Sequence, residues 1–480
     1  MIDTLALAIT LPLLGALAAV ARPRAARAIG LITALVTTAG VAALVIEVAQ
    51  FGLRRTDLGG WGAPLGIALQ ADGLAAALLA MTNLVALAVS LYASDYFGDG
   101  PIRRHFWPLW LLLWAALNGL FLAADLFNIY VALELVGLAA VALAALTGTR
   151  EALTASLRYL LASLLGAITY LLGVALLYAA HGTLDLGQLA NAIAEGPVAW
   201  TALVLMTGGL SIKAALWPMH FWLPPAHGNA PAPVSAALSA LVVKAAFYLV
   251  LRLWFGLYDT AATLAAAHFL GFLGAGAVLW GSWQALRAER LKRMAAYSTV
   301  AQMGYLFLFF PLLAAAEPGA AREDLLAALV LFALSHGFAK AALFLAAGHI
   351  QQCAGHDRIA ELSGTAQRLP ATTFVIALAS VTLIGLPPSG AFTAKWLLLS
   401  GAIAAGQWWG VLVVLAGTLL AAAYSFRLLG RAFGFEPTPY RCITAVHTEV
   451  PALALALTAT LGLGLAGDAL WTLLQVGGPR

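Results

Sequence analysis

Charge is what this chain lacks most. Aspartate, glutamate, lysine and arginine together make up 10% of its 480 residues, where an average soluble domain carries roughly 25%. That shortage excludes a separate soluble domain, and a net charge of only +4 gives no reason to expect a nucleic-acid partner. Cysteine is almost absent as well. Cys353 and Cys442 stand apart, with no CxxC and no metal-ligand spacing, so both read as small apolar fillers near helix ends. There is no GxGxxG opening a helix, no Walker sequence, no HExxH and no nucleophile elbow. These absences argue against a self-contained catalytic centre, and no cofactor or metal is expected.

What the chain has in abundance is apolar length. Hydrophobic residues make up 62% of it, and about 20 such residues in a row suffice for a helix to cross a bilayer. About fourteen segments of this kind run near 2–21, 28–50, 72–96, 107–124, 126–147, 153–180, 199–217, 230–254, 261–284, 291–313, 324–349, 371–398, 405–430 and 450–474. They predict one all-α integral membrane domain embedded in lipid. The first segment has Asp3 in place of a basic leader and is followed by Arg22-Pro23-Arg24, which fits a retained span better than a cleaved signal. Loops after odd-numbered segments hold sixteen lysines and arginines, Arg441 among them. Loops after even-numbered segments hold four: Arg54, Arg55, Arg252 and Arg322. This bias predicts odd loops in the cytoplasm of a bacterial-type inner membrane and both termini outside.

Lysine is scarcer than arginine, five against twenty, and its placement is odd. Lys213, Lys244, Lys340 and Lys395 lie in or against apolar segments, whereas Lys292 reads as part of a basic loop. A cation at the bilayer centre costs at least ~2.5–3.5 kcal/mol. Four such costs point to work done by charge inside the membrane. Two of the lysines also stand beside breaks. Segment 7 continues from Lys213 into Pro218, Pro224, Pro225, Pro231 and Pro233, and segment 12 carries Gly385, Pro387, Pro388 and Gly390 just ahead of Lys395. Proline removes a helical N–H and clashes with the preceding turn, and open backbone at membrane depth survives only in a protein-lined or wet cavity. The two breaks are five segments apart. An odd-numbered unit repeated in a membrane must be inverted, and interrupted helices in corresponding halves mark a midplane ion path.

The remaining charged residues fall around this frame. Glu134 lies inside segment 5 with no ionic neighbour at i±3 or i±4, so its partner must come from another helix, with Lys213 the natural counter-charge. Such a pair suits a proton site, because burial penalises the charged form and a neighbouring charge offsets that penalty; the plainer account is a lock between segments 5 and 7. Lys244 is too deep to reach the surface easily. His336 and Lys340 are spaced i, i+4 on one face of segment 11, and a neutral imidazole can accept and donate at once, as a water-wire relay requires. His220 and His227 flank the first break as candidate entry or relay residues, and His349 is either a third or an interfacial histidine. Asp72 and Asp125 open segments 3 and 5 and read as helix caps. Glu47, near a segment end, should reach solvent.

These stretches resemble the antiporter-like family shared by respiratory complex I, energy-converting membrane hydrogenases and Mrp-type cation/proton antiporters. The matching pieces are ADLFNIYVALELVGL, SIKAALWPMHFWLP, APAPVSAALSALVVKAAFYLVLR, RLKRMAAYSTVAQMGY, LSHGFAKAALFLAAGHI and GLPPSGAFTAKWLL, in that order between about Asp72 and Lys395. The resemblance implies fourteen helices. Three lie within 1–100, inverted five-helix repeats (segments 4–8 and 9–13) occupy 105–255 and 260–432, and a last helix occupies 448–480. It also implies Glu134 and Lys213 as an interacting pair, Lys244 as connector, His336 and Lys340 as central relay and Lys395 as distal site. Members carry no cofactor and work inside multi-subunit membrane complexes. Length and the lysine in segment 12 look like an Mrp D-type subunit, moving protons with sodium as candidate counter-ion. The other reading is a proton-pumping subunit of a redox-driven complex. One departure stands out: relatives commonly have an acidic residue after WLP, and here Pro225 is followed by His227-Gly228-Asn229.

Overall fold

The structure, a computed structural model, describes residues 3–98, 100–259, 263–435 and 449–477. Arg441 and Cys442 fall outside them. Nearly everything described is helix. Helices α1 (Thr4–Ala21), α2 (Ala26–Phe51) and α3 (Gly73–Tyr96) lead into α4 (Pro101–Leu122), α5 (Leu126–Ala144) and α6 (Arg150–His181). A short α7 (Leu186–Ala192) precedes α8 (Pro197–Lys213), α9 (Leu223–Asn229) and α10 (Ala232–Leu257). The second half holds α11 (Leu264–Arg287), α12 (Leu291–Ala315), α13 (Ala320–Ala354), α14 (Pro370–Ile384), α15 (Gly390–Ala404) and α16 (Trp408–Ala432). The chain closes with α17 (Val450–Leu465) and α18 (Gly467–Leu474), bent 77° from each other.

Among the described residues, eleven helices are long and apolar enough to cross a membrane, or twelve with the bent pair taken as one span. The two expected segments outside that set are those with the breaks. Segment 7 stops at Lys213 and resumes as α9, and segment 12 is divided between α14 and α15, of 15 residues each. Proline chemistry thus fragments these two segments as their sequence predicts. One element departs from an all-helical chain: the loop after α2 folds into an antiparallel ribbon, β1 (Arg54–Asp57) on β2 (Ala68–Ala71), in register Arg54↔Ala71. It extends by backbone pairing, with Leu69 bridged to Ala123 and Asp125 to Asp185. This ribbon ties together the end of the bundle poor in arginine.

Burial divides the helices by role. The apolar stretches of α10 and α13 are buried throughout, whereas no more than a third of the residues in those of α1 and α2 are buried. Close approach in the middle depends on glycine. A Cβ on Gly166 of α6 would lie 2.7 Å from the Gly209 carbonyl of α8, and one on Gly274 of α11 would lie 2.7 Å from the Gly304 carbonyl of α12. Small residues at crossings let backbones meet where no hydrophobic driving force separates helix from lipid. The first crossing sets the position of Lys213, which ends α8.

Candidate functional site

Glu134 and Lys213 meet. The Lys213 ammonium lies 3.5 Å from a Glu134 carboxylate oxygen and donates a 2.9 Å hydrogen bond to Ser163 Oγ of α6. Gly137, one turn past Glu134, makes room: a Cβ there would stand 2.5 Å from Ser163 Oγ and 3.5 Å from the Lys213 nitrogen. The chain then turns, and Trp222 closes the turn by donating to the Ile212 carbonyl at 2.8 Å while stacking on Tyr159. The carbonyl freed by the break therefore has a partner, as burial demands. Ser163 is a site residue that sequence reasoning misses, because a lone hydroxyl in an apolar segment is a weak signal.

A second cluster forms where α10 and α13 cross α12. Helix α10 contains a π-turn over Leu238–Val242, which disturbs the regular i→i−4 ladder, a feature common at functional sites. Lys244 uses that irregularity, donating to the Ser239 carbonyl at 2.5 Å. Ser239 Oγ in turn shares a 2.8 Å hydrogen bond with Thr299 of α12. Lys340 donates to the Ala295 carbonyl at 2.9 Å and to Ser298 Oγ. His336 is 1% exposed with no protein partner at either ring nitrogen, and Lys244 and Lys340 both lie within electrostatic reach of it. His227 is likewise fully buried with both nitrogens unpartnered, beside Phe344 at 5.6 Å. Two enclosed imidazoles without protein partners mark sites that water or a mobile proton can complete.

Lys395 occupies the second break. Its ammonium donates to the carbonyl of Ile384, the last residue of α14, at 3.0 Å and to Thr418 of α16 at 3.3 Å, and sits 4.2 Å from the centre of the Tyr305 ring. Gln302 of α12 takes the neighbouring Leu383 carbonyl at 2.8 Å. Here the freed backbone and the buried cation satisfy each other. Gly385 between them has φ of +83°, and a Cβ on it would press on Lys395 Cδ at 2.8 Å.

Two sequence readings need correction. Lys292 is not a loop residue; it lies in the first turn of α12, 3% exposed, with its ammonium on the Ala230 carbonyl at the first break. All five lysines are therefore buried. Asp72 does cap α3, accepting from Ala75 N at 2.9 Å, but it also receives both Nη groups of Arg252 at 2.5 Å. Arg252 accordingly does not sit free in a loop. Glu47 reaches solvent as read, with 31% of its side chain exposed, and accepts from Thr4 Oγ1 at 2.9 Å. Asp125 caps α5 as read. His220 lies in the first break with Nδ1 unpartnered, and His349 is buried away from both clusters, against Thr372. Among the described residues no three His, Cys, Asp or Glu side chains converge to hold a metal.

Comparison with known proteins fits this architecture. Residues 123–421 match the family model described as NADH:quinone oxidoreductase/Mrp antiporter, transmembrane. The chain belongs to that family. This member is 36% identical, over 90% of its own length and 87% of the relative's, to NADH-quinone oxidoreductase subunit N of Desulforudis audaxviator. It is 28% identical to the D-type subunit of the Na(+)/H(+) antiporter of Bacillus subtilis, over 88% and 85% of the two chains. Its fold superposes on a chain of the Mrp complex from Dietzia sp. with a TM-score of 0.90 and 27% identity, covering 98% of this chain and 96% of that one. It is a multi-pass, antiporter-like membrane subunit of the kind found in multi-subunit membrane complexes.

Proposed function

We propose that this subunit moves protons along a lateral series of buried groups, in exchange for a cation such as sodium, within an Mrp-like complex. The observation that carries the reading is the Glu134–Lys213 contact at 3.5 Å, followed by the enclosed Lys244, His336, Lys340 and Lys395. In this reading 105–255 and 260–432 are inverted halves of a fourteen-span chain, and each half opens a hydrated channel at its break. The arginine-rich loops face the cytoplasm and both termini lie outside.

Protonation of one lysine acts on the next through a low-dielectric gap. Two unit charges ~8 Å apart at an effective dielectric of ~20 interact by about 2 kcal/mol. That equals about 1.5 pKa units, enough to bias the direction of transfer. Similarity to subunit N of a quinone oxidoreductase favours a second reading, in which the same series serves a redox-driven complex. The polypeptides that copurify in mild detergent separate the two. In either complex Lys213→Ala and Glu134→Ala should abolish ion flux while assembly persists. Normal flux in either variant would overturn the lateral path.

A further inference from the structure

The arginine-rich end of the bundle holds a polar chain that the lysine series does not use. Glu449, immediately ahead of α17, accepts hydrogen bonds from the Thr372 backbone N–H at 3.0 Å and from the Thr372 hydroxyl. Thr372, in the first turn of α14, is also 2.7 Å from Nδ1 of His349 on α13, and His349 Nδ1 lies 3.6 Å from Glu449. His349 is 5% and Thr372 2% exposed, whereas the Glu449 side chain keeps 12% of its surface open. Three helices thus contribute a carboxylate near the surface, a hydroxyl and an enclosed imidazole, in contact and in that order. A carboxylate placed here only to cap α14 would need the backbone contact alone.

Helix geometry says where the chain leads. His349 is nine residues beyond Lys340, and at 100° per residue it faces the opposite side of α13, about 13 Å along the axis. It therefore looks toward α14 and α17 and away from Lys340. Further along that interface Thr382 and Thr460 share a 3.0 Å hydrogen bond, and Thr460 donates to the Leu378 carbonyl at 3.1 Å. Thr460 sits in another π-turn, Thr458–Gly462. Two residues past Thr382 the helix ends at Ile384, whose carbonyl holds Lys395.

We propose that Glu449, Thr372 and His349 form a proton-loading site on the arginine-rich side that supplies Lys395. The proposal rests on the lateral-path reading and adds its entrance to the second half. A proton from water binds Glu449. The carboxyl O–H then donates to Thr372 Oγ1, and the hydroxyl turns its own proton toward Nδ1 of the Nε2–H tautomer. Transfer along both bonds restores the carboxylate and the hydroxyl and makes an imidazolium, which releases its Nε2 proton inward. Among the described residues, the other titratable groups on the flanking elements are Tyr92 and Tyr96 of α3, packed at Gly348, and His227 beside Phe344. Of these groups Glu449 is the carboxylate, and its side chain keeps 12% of its surface open where that of His349 keeps 7%.

The test is proton flux by the assembled complex in liposomes, with pH varied on the arginine-rich side. Glu449→Gln keeps an oxygen for the Thr372 N–H, and Thr372→Val keeps the shape while removing the hydroxyl. Each should slow flux about tenfold at alkaline pH and recover toward wild type as that side is acidified, while Thr372→Ser stays normal. Wild-type flux in both variants across the pH range, a loss indifferent to pH, or failure to assemble would overturn the proposal and leave a structural clamp. Lys213→Ala in the same assay distinguishes the two levels. Normal flux there removes the lateral path itself. Lost flux there with unchanged Glu449→Gln removes only the entrance.

Discussion

The pair Asp72–Arg252 offers a quantitative test of how the bundle is held, independent of transport. Asp72 is fully buried, and both its oxygens receive Arg252 at 2.5 Å, a two-pronged geometry across 180 residues. Arg252 also donates to Tyr248 at 3.0 Å beside a cavity of about 240 Å³. Substituting Asp72→Ala removes the counter-charge and leaves the guanidinium enclosed, a change that typically costs 3–5 kcal/mol. The lost cap on α3 adds about 1 kcal/mol, and the 19% of the Arg252 side chain still exposed relieves part of the total. A loss of about 4 kcal/mol results, roughly a thousandfold in the folded-to-unfolded ratio at 1.4 kcal/mol per decade. Arg252→Met should cost nearly as much, because it strands Asp72. The double variant Asp72→Asn, Arg252→Met removes both charges, keeps a capping oxygen, and should stay within about 2 kcal/mol of wild type. Thermal inactivation of the complex in mild detergent measures all three against wild type. A double variant less stable than both single variants, or an Asp72→Ala protein as stable as wild type, would refute the reasoning.

Two further outcomes follow from the packing. Gly166→Ala places a methyl 2.7 Å from the Gly209 carbonyl and 3.1 Å from Lys213 Cγ, so α8 must move by several tenths of an ångström. Flux should fall at least fivefold, and a cross-link between α6 and α8 at this level should weaken; unchanged flux would show the crossing to be loose. Lys292→Met takes the buried ammonium off the Ala230 carbonyl. Losing a charged hydrogen bond of this kind costs about 1.5–3 kcal/mol, visible as a lower inactivation temperature, whereas a lysine in a solvated loop would show no change.

Much of the site is legible along the chain. Lysine, proline and glycine are conspicuous in apolar segments, because each carries a local penalty there that the sequence exposes directly. Hence the two breaks, the enclosed lysines and the helical phase of His336 and Lys340 can all be read from residue order. The misreadings share one cause. The arginines around Lys292 suggest a loop, yet its ammonium reaches a carbonyl 62 residues away. Chain position likewise puts Arg252 in a loop, although Asp72 pairs with it in space. The ribbon formed by residues 54–57 and 68–71 gives no signal, since its pairing depends on the helices that bring it beside Ala123.

By itself the sequence determined that this chain spans a membrane, that two of its helices cannot be continuous, and that cations are retained at depth. Those are properties of composition and of single segments, where transfer cost and helix chemistry act on neighbours along the chain. Tertiary structure alone decided which groups meet: Ser163 with Lys213, Thr299 with Ser239, Ile384 with Lys395, Glu449 with Thr372 and His349. The rotation of each helix about its axis and the closeness of its crossings set those contacts. Both are fixed by small residues and by packing among segments far apart in sequence.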